Sequence, residues 1–275
     1  MPHLLAAWNL LLIAVWTGLL IPVQAAALLF GGRAAEVVPM LYHRGLARII
    51  GLRVTVRGEI SRVRPTLFVV NHSSWLDITV IDSLLPVCFV AKREVAGWPV
   101  FGLLAKLQRT VFVERAVSRT ASQRDMMAER LAAADNLVLF AEGTSGDGSG
   151  VLPFKTSFFA LAERPVNGRP LTVQPLSITY VAINGLPLGR HLRPVLTWFA
   201  DMSMAPHGWG VLGIGPISVA VQFHDPVTIE AFGSRKALAA HCQARIAQSV
   251  SDAIAGRQST TAQDPRPAPM SSASP

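Results

Sequence analysis

Charged residues are scarce in this sequence, at 15%, where ordinary soluble domains carry about 25%. Cysteine is scarcer still. Cys88 and Cys242 have neither a zinc-like partner spacing nor the numbers for a disulfide framework, and both read as buried apolar side chains. No Asp, Glu, Lys or Arg occurs anywhere in residues 2–32. Apolar residues fill 51% of the 275 positions and the mean hydropathy is +0.39, which excludes a disordered chain. Acid is short relative to base, with 17 Asp and Glu against 25 Lys and Arg and a net charge of +8. That charge is too dilute for a dedicated nucleic-acid protein and suits an anionic membrane surface better. No internal repeat is visible.

The residues present divide the chain into four stretches. Residues 1–32 hold an apolar run from Leu4 to Phe30. At about 1.5 Å per residue it can cross a bilayer of about 30 Å with some tilt. Pro22 kinks such a helix rather than forbidding it. Arg33, Arg44, Arg48, Arg53 and Arg57 come after it, so the positive-inside rule puts the C-terminal side in the cytoplasm. Two other readings stay open: a hairpin broken near Pro22 that dips into one leaflet, and a signal peptide cleaved at Val23-Gln24-Ala25. The missing basic start and the long apolar stretch weaken the last. Residues 33–50 read as an amphipathic helix with Val38, Leu41, Leu46, Ile49 and Ile50 on one face, lying either on anionic lipid or on the domain's own core. Residues 51–255 fit one domain. Residues 256–275, with Pro265, Pro267, Pro269 and Pro275, are expected to be disordered.

Within 51–255, apolar β-branched runs alternate with helical patterns. Strands are expected at 52–57, 66–71, 87–92, 110–114, 136–141, 172–180, 193–199 and 218–224, and helices at 74–85, 99–107, 118–134, 156–163 and 234–254. This alternation argues an α/β fold with a mostly buried sheet, whose chemistry gathers at strand ends.

Three such ends carry reactive residues. In Asn71-His72-Ser73-Ser74-Trp75-Leu76-Asp77 a strand gives way to a helix with Ser73 or Ser74 as N-cap. On a strand–turn–helix, Asp77 can fold back to an imidazole nitrogen, hold its tautomer and leave the other nitrogen as a general base. A capping Asp beside a structural His reads the spacing equally well. In Glu142-Gly143-Thr144-Ser145-Gly146-Asp147-Gly148 a strand enters a Gly-rich loop whose amides can meet an anion. It is neither a Walker A loop nor a nucleophile elbow. Between them, Lys92 and Arg115 each close a strand, and Pro99 and Gly102 frame a tight segment. An arginine fork there suits phosphate or carboxylate. No His, Cys or Asp cluster has metal-ligand spacing.

Taken in order, these pieces resemble the lysophosphatidate acyltransferase family, the glycerolipid acyltransferases. The first motif is His72-x4-Asp77. The second is Lys92, Pro99, Gly102, Phe112 and Arg115, the third Glu142-Gly143-Thr144 with Ser145, and the fourth Val173-Gln174-Pro175-Leu176. Arg109 stands where the second motif usually has a late Gly. That departure, Leu152-Pro153-Phe154-Lys155 and Ala205-Pro206-His207-Gly208-Trp209 are similar to the bacterial lyso-ornithine lipid O-acyltransferase branch.

The resemblance implies a single acyltransferase domain with a mixed, mostly buried sheet flanked by helices, preceded by an N-terminal membrane helix or hairpin. It implies acyl transfer from an acyl carrier protein or coenzyme A thioester to the free hydroxyl of a lysolipid. Lysophosphatidate is the default acceptor and lyso-ornithine lipid the alternative. His72 and Asp77 would be catalytic. Arg115, Glu142, Gly143 and Thr144 would line the acceptor headgroup site, with Lys92, Pro99, Gly102 and Pro175 in support. No metal or further cofactor is needed. The expected place is the cytoplasmic face of a bacterial inner membrane, against anionic lipid and without nucleic acid. Removal of residues 1–32 is expected to cost turnover on bilayers more than on detergent-dispersed acceptor. A non-catalytic membrane-binding protein and a lipid esterase are the rival classes.

Overall fold

The apolar runs of the middle of the chain form one eight-stranded sheet in a computed structural model that describes residues 1–113 and 120–257, with the backbone alone for 120–124. Arg115 and the tail from residue 258 lie outside the described residues. Helices α1 (Pro2–Phe30) and α2 (Ala34–Ile50) come first. The strands are β1 (Leu52–Arg57), β2 (Thr66–Val70), β3 (Cys88–Lys92), β4 (Val111–Val113), β5 (Leu137–Phe140), β6 (Thr172–Ile183), β7 (Leu186–Pro187) and β8 (Ile217–Phe223). Helices α3 (Leu76–Leu84), α4 (Phe101–Leu107), α5 (Thr120–Ala132), α6 (Met204–Leu212) and α7 (Arg235–Ile254) pack around them.

The sheet is mixed. Its order is β1-β8-β6-β2-β5-β3-β4, with β7 folded back on β6. Among the described strand-to-strand pairings only β8 against β6 and the short β7 hairpin are antiparallel; the others are parallel, and two isolated antiparallel bridges join Val166 to Arg169 and Val173 to Val227. Central strands covered on both faces need apolar residues at every position, and β2 is buried throughout. Its alternate side chains feed two cores. Phe68 and Val70 pack with Leu76, Val80 and Ile81 of α3, beside Ala6 and Ile50. Leu67 and Val69 pack on the opposite face with Leu238, Cys242, Ile246 and Val250 of α7. Both cysteines are free and buried.

Two segments depart from the sequence pattern. Residues 193–199 form no strand. A 3-10 turn occupies Arg190–Val195, and the Leu196 and Thr197 amides both return to the Arg193 carbonyl. Pro194 cannot donate to a ladder, and the Arg193 side chain is buried and donates to the Gly148 and Leu188 carbonyls, so the segment is tied down as a turn. Helix α6, rich in Gly and Pro, has no propensity signal. It forms against α1, where Asn9 Nδ2 donates to the Leu212 carbonyl at 2.9 Å.

The N-terminal helices form a close pair. A Cβ at Gly45 would overlap the Trp16 indole, whose Nε1 donates to the Tyr42 carbonyl at 3.0 Å. Helix α1 lies along the domain: Asn9 bonds α6 and Gln24 Nε2 bonds the Leu107 carbonyl at the end of α4. Those anchors are about 22 Å apart along a helix axis. Its outer stripe of Leu4, Trp8, Leu11, Val15, Leu19 and Val23 is exposed. Helix α2 buries Ala35, Pro39, His43, Leu46 and Ile50 between α1 and α3, so much of its apolar side faces protein, while Leu41 and Arg48 face outward.

Candidate active site

The parallel strands β2, β3 and β5 end on one edge, and the first and third sequence motifs continue from β2 and β5 there. This is the edge where open α/β sheets gather their chemistry. Helix α3 begins at Leu76, with Trp75 in the cap position and no side-chain cap. The amides of Ser73 and Ser74 turn instead to Asp77 Oδ2, at 2.8 and 3.0 Å. The same oxygen lies 2.9 Å from His72 Nδ1. Tyr180 of β6 donates its hydroxyl to Asp77 Oδ1 at 2.6 Å. A fully buried carboxylate thus receives four hydrogen bonds. With Nδ1–H donated to Asp77, Nε2 carries the lone pair.

The imidazole is fixed from its face as well. It stacks on Phe140, the last residue of β5, with centroids 4.0 Å apart and planes 22° from parallel. Glu142 Oε1 accepts from the His72 amide at 3.0 Å, and the Gly146 amide donates to the His72 carbonyl at 2.8 Å. The first and third motifs therefore brace each other. Ser74 Oγ donates to the Leu196 carbonyl, and the Trp198 amide to that of Ser73, so the turn that replaces the expected strand also supports the site.

Gly143 takes φ +69°, and a Cβ there would run into the Lys155 side chain. With Thr144 and Ser145 it faces a cavity of about 740 Å³ that His72 also lines. Lys92, Trp98, Phe101 and Trp198 line it too. Gly102 is buried with its α-carbon against the Ala96 carbonyl, and Pro99 turns the chain just before it. Pro175 lies in β6 opposite Val69, below the strand edge and away from the cavity lining. Arg109 pairs with Asp135 and neighbours Glu36, outside the cavity lining. Arg115 falls outside the described residues.

Glu142 sits behind the imidazole. It is 3% exposed and does not line the cavity. Burial pushes its carboxyl up to about 8, with Asp77 adding to the rise and the His72 and Leu152 amides opposing it. A carboxyl raised this way stabilises the fold in its protonated form. That contribution is full below the unfolded value of 4.5 and is lost as pH rises towards about 8. Glu142→Gln should therefore melt with a flatter pH dependence than the wild type across that window. Parallel melting curves give the difference; superimposable slopes would refute it.

Sequence reasoning missed Tyr180 and Phe140. Nothing local marks either, since Tyr180 reaches Asp77 from 103 positions away. Tyr180→Phe should lower kcat about tenfold, the scale of one hydrogen bond to a charged group. A kcat unchanged beside a lowered melting temperature would limit Tyr180 to a structural role.

The Acyltransferase family profile matches residues 53–179. The chain is 42% identical over 243 residues to the lyso-ornithine lipid O-acyltransferase of Brucella abortus, covering 87% of this chain and 91% of that one. It is 42% identical over 260 residues to the protein of the same name from Rhizobium meliloti, covering 93% and 89%. To the 1-acyl-sn-glycerol-3-phosphate acyltransferase of Neisseria gonorrhoeae it is 30% identical over 176 residues, covering 60% and 63%. The crystal structure of the 1-acyl-sn-glycerophosphate acyltransferase PlsC from Thermotoga maritima superposes with TM-score 0.64 at 20% identity, over 93% of this chain and 97% of that one. At that identity the likeness concerns the fold.

Proposed function

The chain belongs to the lysophosphatidate acyltransferase family, and on that premise we propose that His72 acts as the general base for transfer of a fatty acyl group from a thioester to the hydroxyl of a lysolipid. The observation that carries this reading is the His72–Asp77 pair. Its Nδ1 is committed to a fully buried, four-bonded carboxylate, and the imidazole lines a large, mainly apolar cavity. A thioester is already activated, so no protein nucleophile is needed. The lysolipid oxygen attacks the carbonyl carbon as Nε2 takes its proton. The C–S bond breaks as the tetrahedral intermediate collapses, and Nε2 returns the proton to the departing thiolate. Asp77 stabilises the transient imidazolium, as the acid does in a Ser-His-Asp triad.

The amides of Ser73, Ser74, Gly143 and Gly146 are all engaged with protein oxygens, which removes them as donors to an oxyanion. Thr144, Ser145 and Lys92, on the cavity lining, are our candidates for the acceptor headgroup and the oxyanion. Arg115 remains proposed for the headgroup by family likeness. Glu142 is proposed as a positioning residue that holds the His72 backbone.

Two acceptors are in play. The longer and more identical likeness, to the Brucella and Rhizobium proteins, supports lyso-ornithine lipid. The family default and the likeness to the Neisseria protein support lysophosphatidate. Helix α1 is long and apolar enough to cross a membrane, and the relatives act on a membrane-forming lipid class by name; we place the outer stripe of α1 in the cytoplasmic leaflet of the inner membrane, with the cavity opening to it. The deciding experiment offers both lysolipids to membranes carrying the chain, with acyl carrier protein and coenzyme A thioesters as donors and His72→Ala as control. Transfer to lyso-ornithine lipid alone assigns that acceptor, and transfer to lysophosphatidate alone assigns the other. Release of free fatty acid without transfer would overturn the reading in favour of an esterase.

A further inference from the structure

The cavity that His72 lines is aromatic on one side and carries charge of both signs. Trp75, Trp98 and Trp198 line it, together with Lys92 and Glu94. The three indoles come from separate elements. Trp75 caps α3 three residues after His72, Trp98 follows the 3-10 turn Arg93–Gly97, and Trp198 follows the 3-10 turn Arg190–Val195. Trp98 and Trp198 meet edge to face, with centroids 6.2 Å apart and planes 89° from parallel, so they form two walls of a corner. Two of the indole N–H groups are already committed. Trp75 Nε1 donates to His207 Nδ1 at 3.2 Å and Trp198 Nε1 to the Met202 carbonyl at 2.7 Å. Neither partner lines the cavity. With the polar handle of these two rings occupied, what they offer a ligand is the π face, which attracts a cation.

Charge in this cavity is balanced. Lys92 closes β3, and Glu94 lies two residues on, in the first turn of the 3-10 segment. Among the described residues no other Lys, Arg, Asp or Glu lines the cavity. A phosphate alone would find one lysine here beside a carboxylate and the electron-rich faces of the indoles. A headgroup with an ammonium next to an anionic group would find a partner for each charge. Desolvation of an ammonium against aromatic rings is the setting in which a cation–π contact contributes most.

We propose that Trp75, Trp98 and Trp198, with Glu94, receive an ammonium group of the acceptor headgroup, while Lys92 meets its anionic group. The inference rests on the acyl-transfer reading and adds the charge class of the acceptor, zwitterionic rather than anionic alone. His207 positions Trp75 in this wall. Both an ornithine lipid and a phosphoethanolamine lipid carry an ammonium beside an anion, and the experiment separates them.

The test compares acceptors in pairs that differ only at the amine: lyso-ornithine lipid with that amine free or acetylated, and lysophosphatidylethanolamine free or acetylated. Rates are measured for each with one thioester. Wild type should favour the free amine about tenfold in kcat/KM in at least one pair, chiefly through KM. That pair identifies the source of the ammonium. Glu94→Gln and Trp98→Leu alter exposed side chains, and each should bring the ratio of free to acetylated towards one. Equal use of free and acetylated amine by wild type in both pairs overturns the proposal, as does a preference that neither variant changes. Quenching of tryptophan fluorescence by the free and acetylated lysolipids in detergent, with no thioester present, reads the site without turnover. Tighter binding of a free amine that Glu94→Gln weakens supports the site even if no lysolipid is acylated, an outcome that would sink the acyl-transfer reading alone. Indistinguishable binding of the two forms in both pairs would overturn the site.

Discussion

His72→Ala should lower kcat/KM by about 10²–10⁴-fold, the range supplied by a positioned general base, with little change in melting temperature. The side chain is partly exposed and its packing is chiefly the stack on Phe140. Asp77 should behave differently. Asp77→Ala strands the Ser73 and Ser74 amides, the Tyr180 hydroxyl and His72 Nδ1–H in a buried site. Each orphaned group costs about 1–3 kcal/mol, so that variant should lose folding as well as activity. Asp77→Asn keeps an acceptor and should fold better, while no longer balancing an imidazolium. If the pair acts as one unit, adding Asp77→Asn to His72→Ala costs little further activity, because residues of one catalytic unit are not additive. Two full, multiplying losses in steady-state kinetics would contradict that unit.

The second large effect concerns α1. Deletion of residues 1–32 should abolish transfer in detergent as completely as on bilayers. The sequence suggested a selective loss on bilayers, because a membrane anchor is dispensable once the acceptor is dispersed. The packing gives the reason for the difference. Thr17, Leu20, Ile21 and Gln24 are part of the cavity wall, and Asn9 and Gln24 bond α6 and the end of α4. Without α1 the cavity lies open to water, which a site handling two lipid chains cannot exclude by other means. Activity that survives in detergent but fails on vesicles would return α1 to the role of a simple anchor.

The sheet was legible in the sequence because a strand buried on both faces must be apolar at every position. The runs at 66–71 and 136–141 satisfy that demand and became β2 and β5. Residues 193–199 carry a similar apolar pattern, yet Pro194 and the buried Arg193 bind the chain into a turn. Helix α6 has no pattern of its own and exists through its contact with α1.

The His72–Asp77 pair was legible for a local reason. Five positions on a strand–turn–helix leave the aspartate free to reach back, and both partners sit within one short stretch. The contacts that rank that pair over a chance spacing are not local. Tyr180 arrives from β6, Phe140 from β5 and the Glu142 brace from the loop after it, each brought in by strand order. Glu142 shows the same limit in reverse: its motif suggests a headgroup contact, and the fold buries it behind the imidazole. The sequence by itself determined the buried central strands and the reactive pair, because burial on two faces and a short local spacing are written in neighbouring residues. The tertiary structure alone decided which residues support that pair, because those contacts join residues that meet only after the sheet has formed.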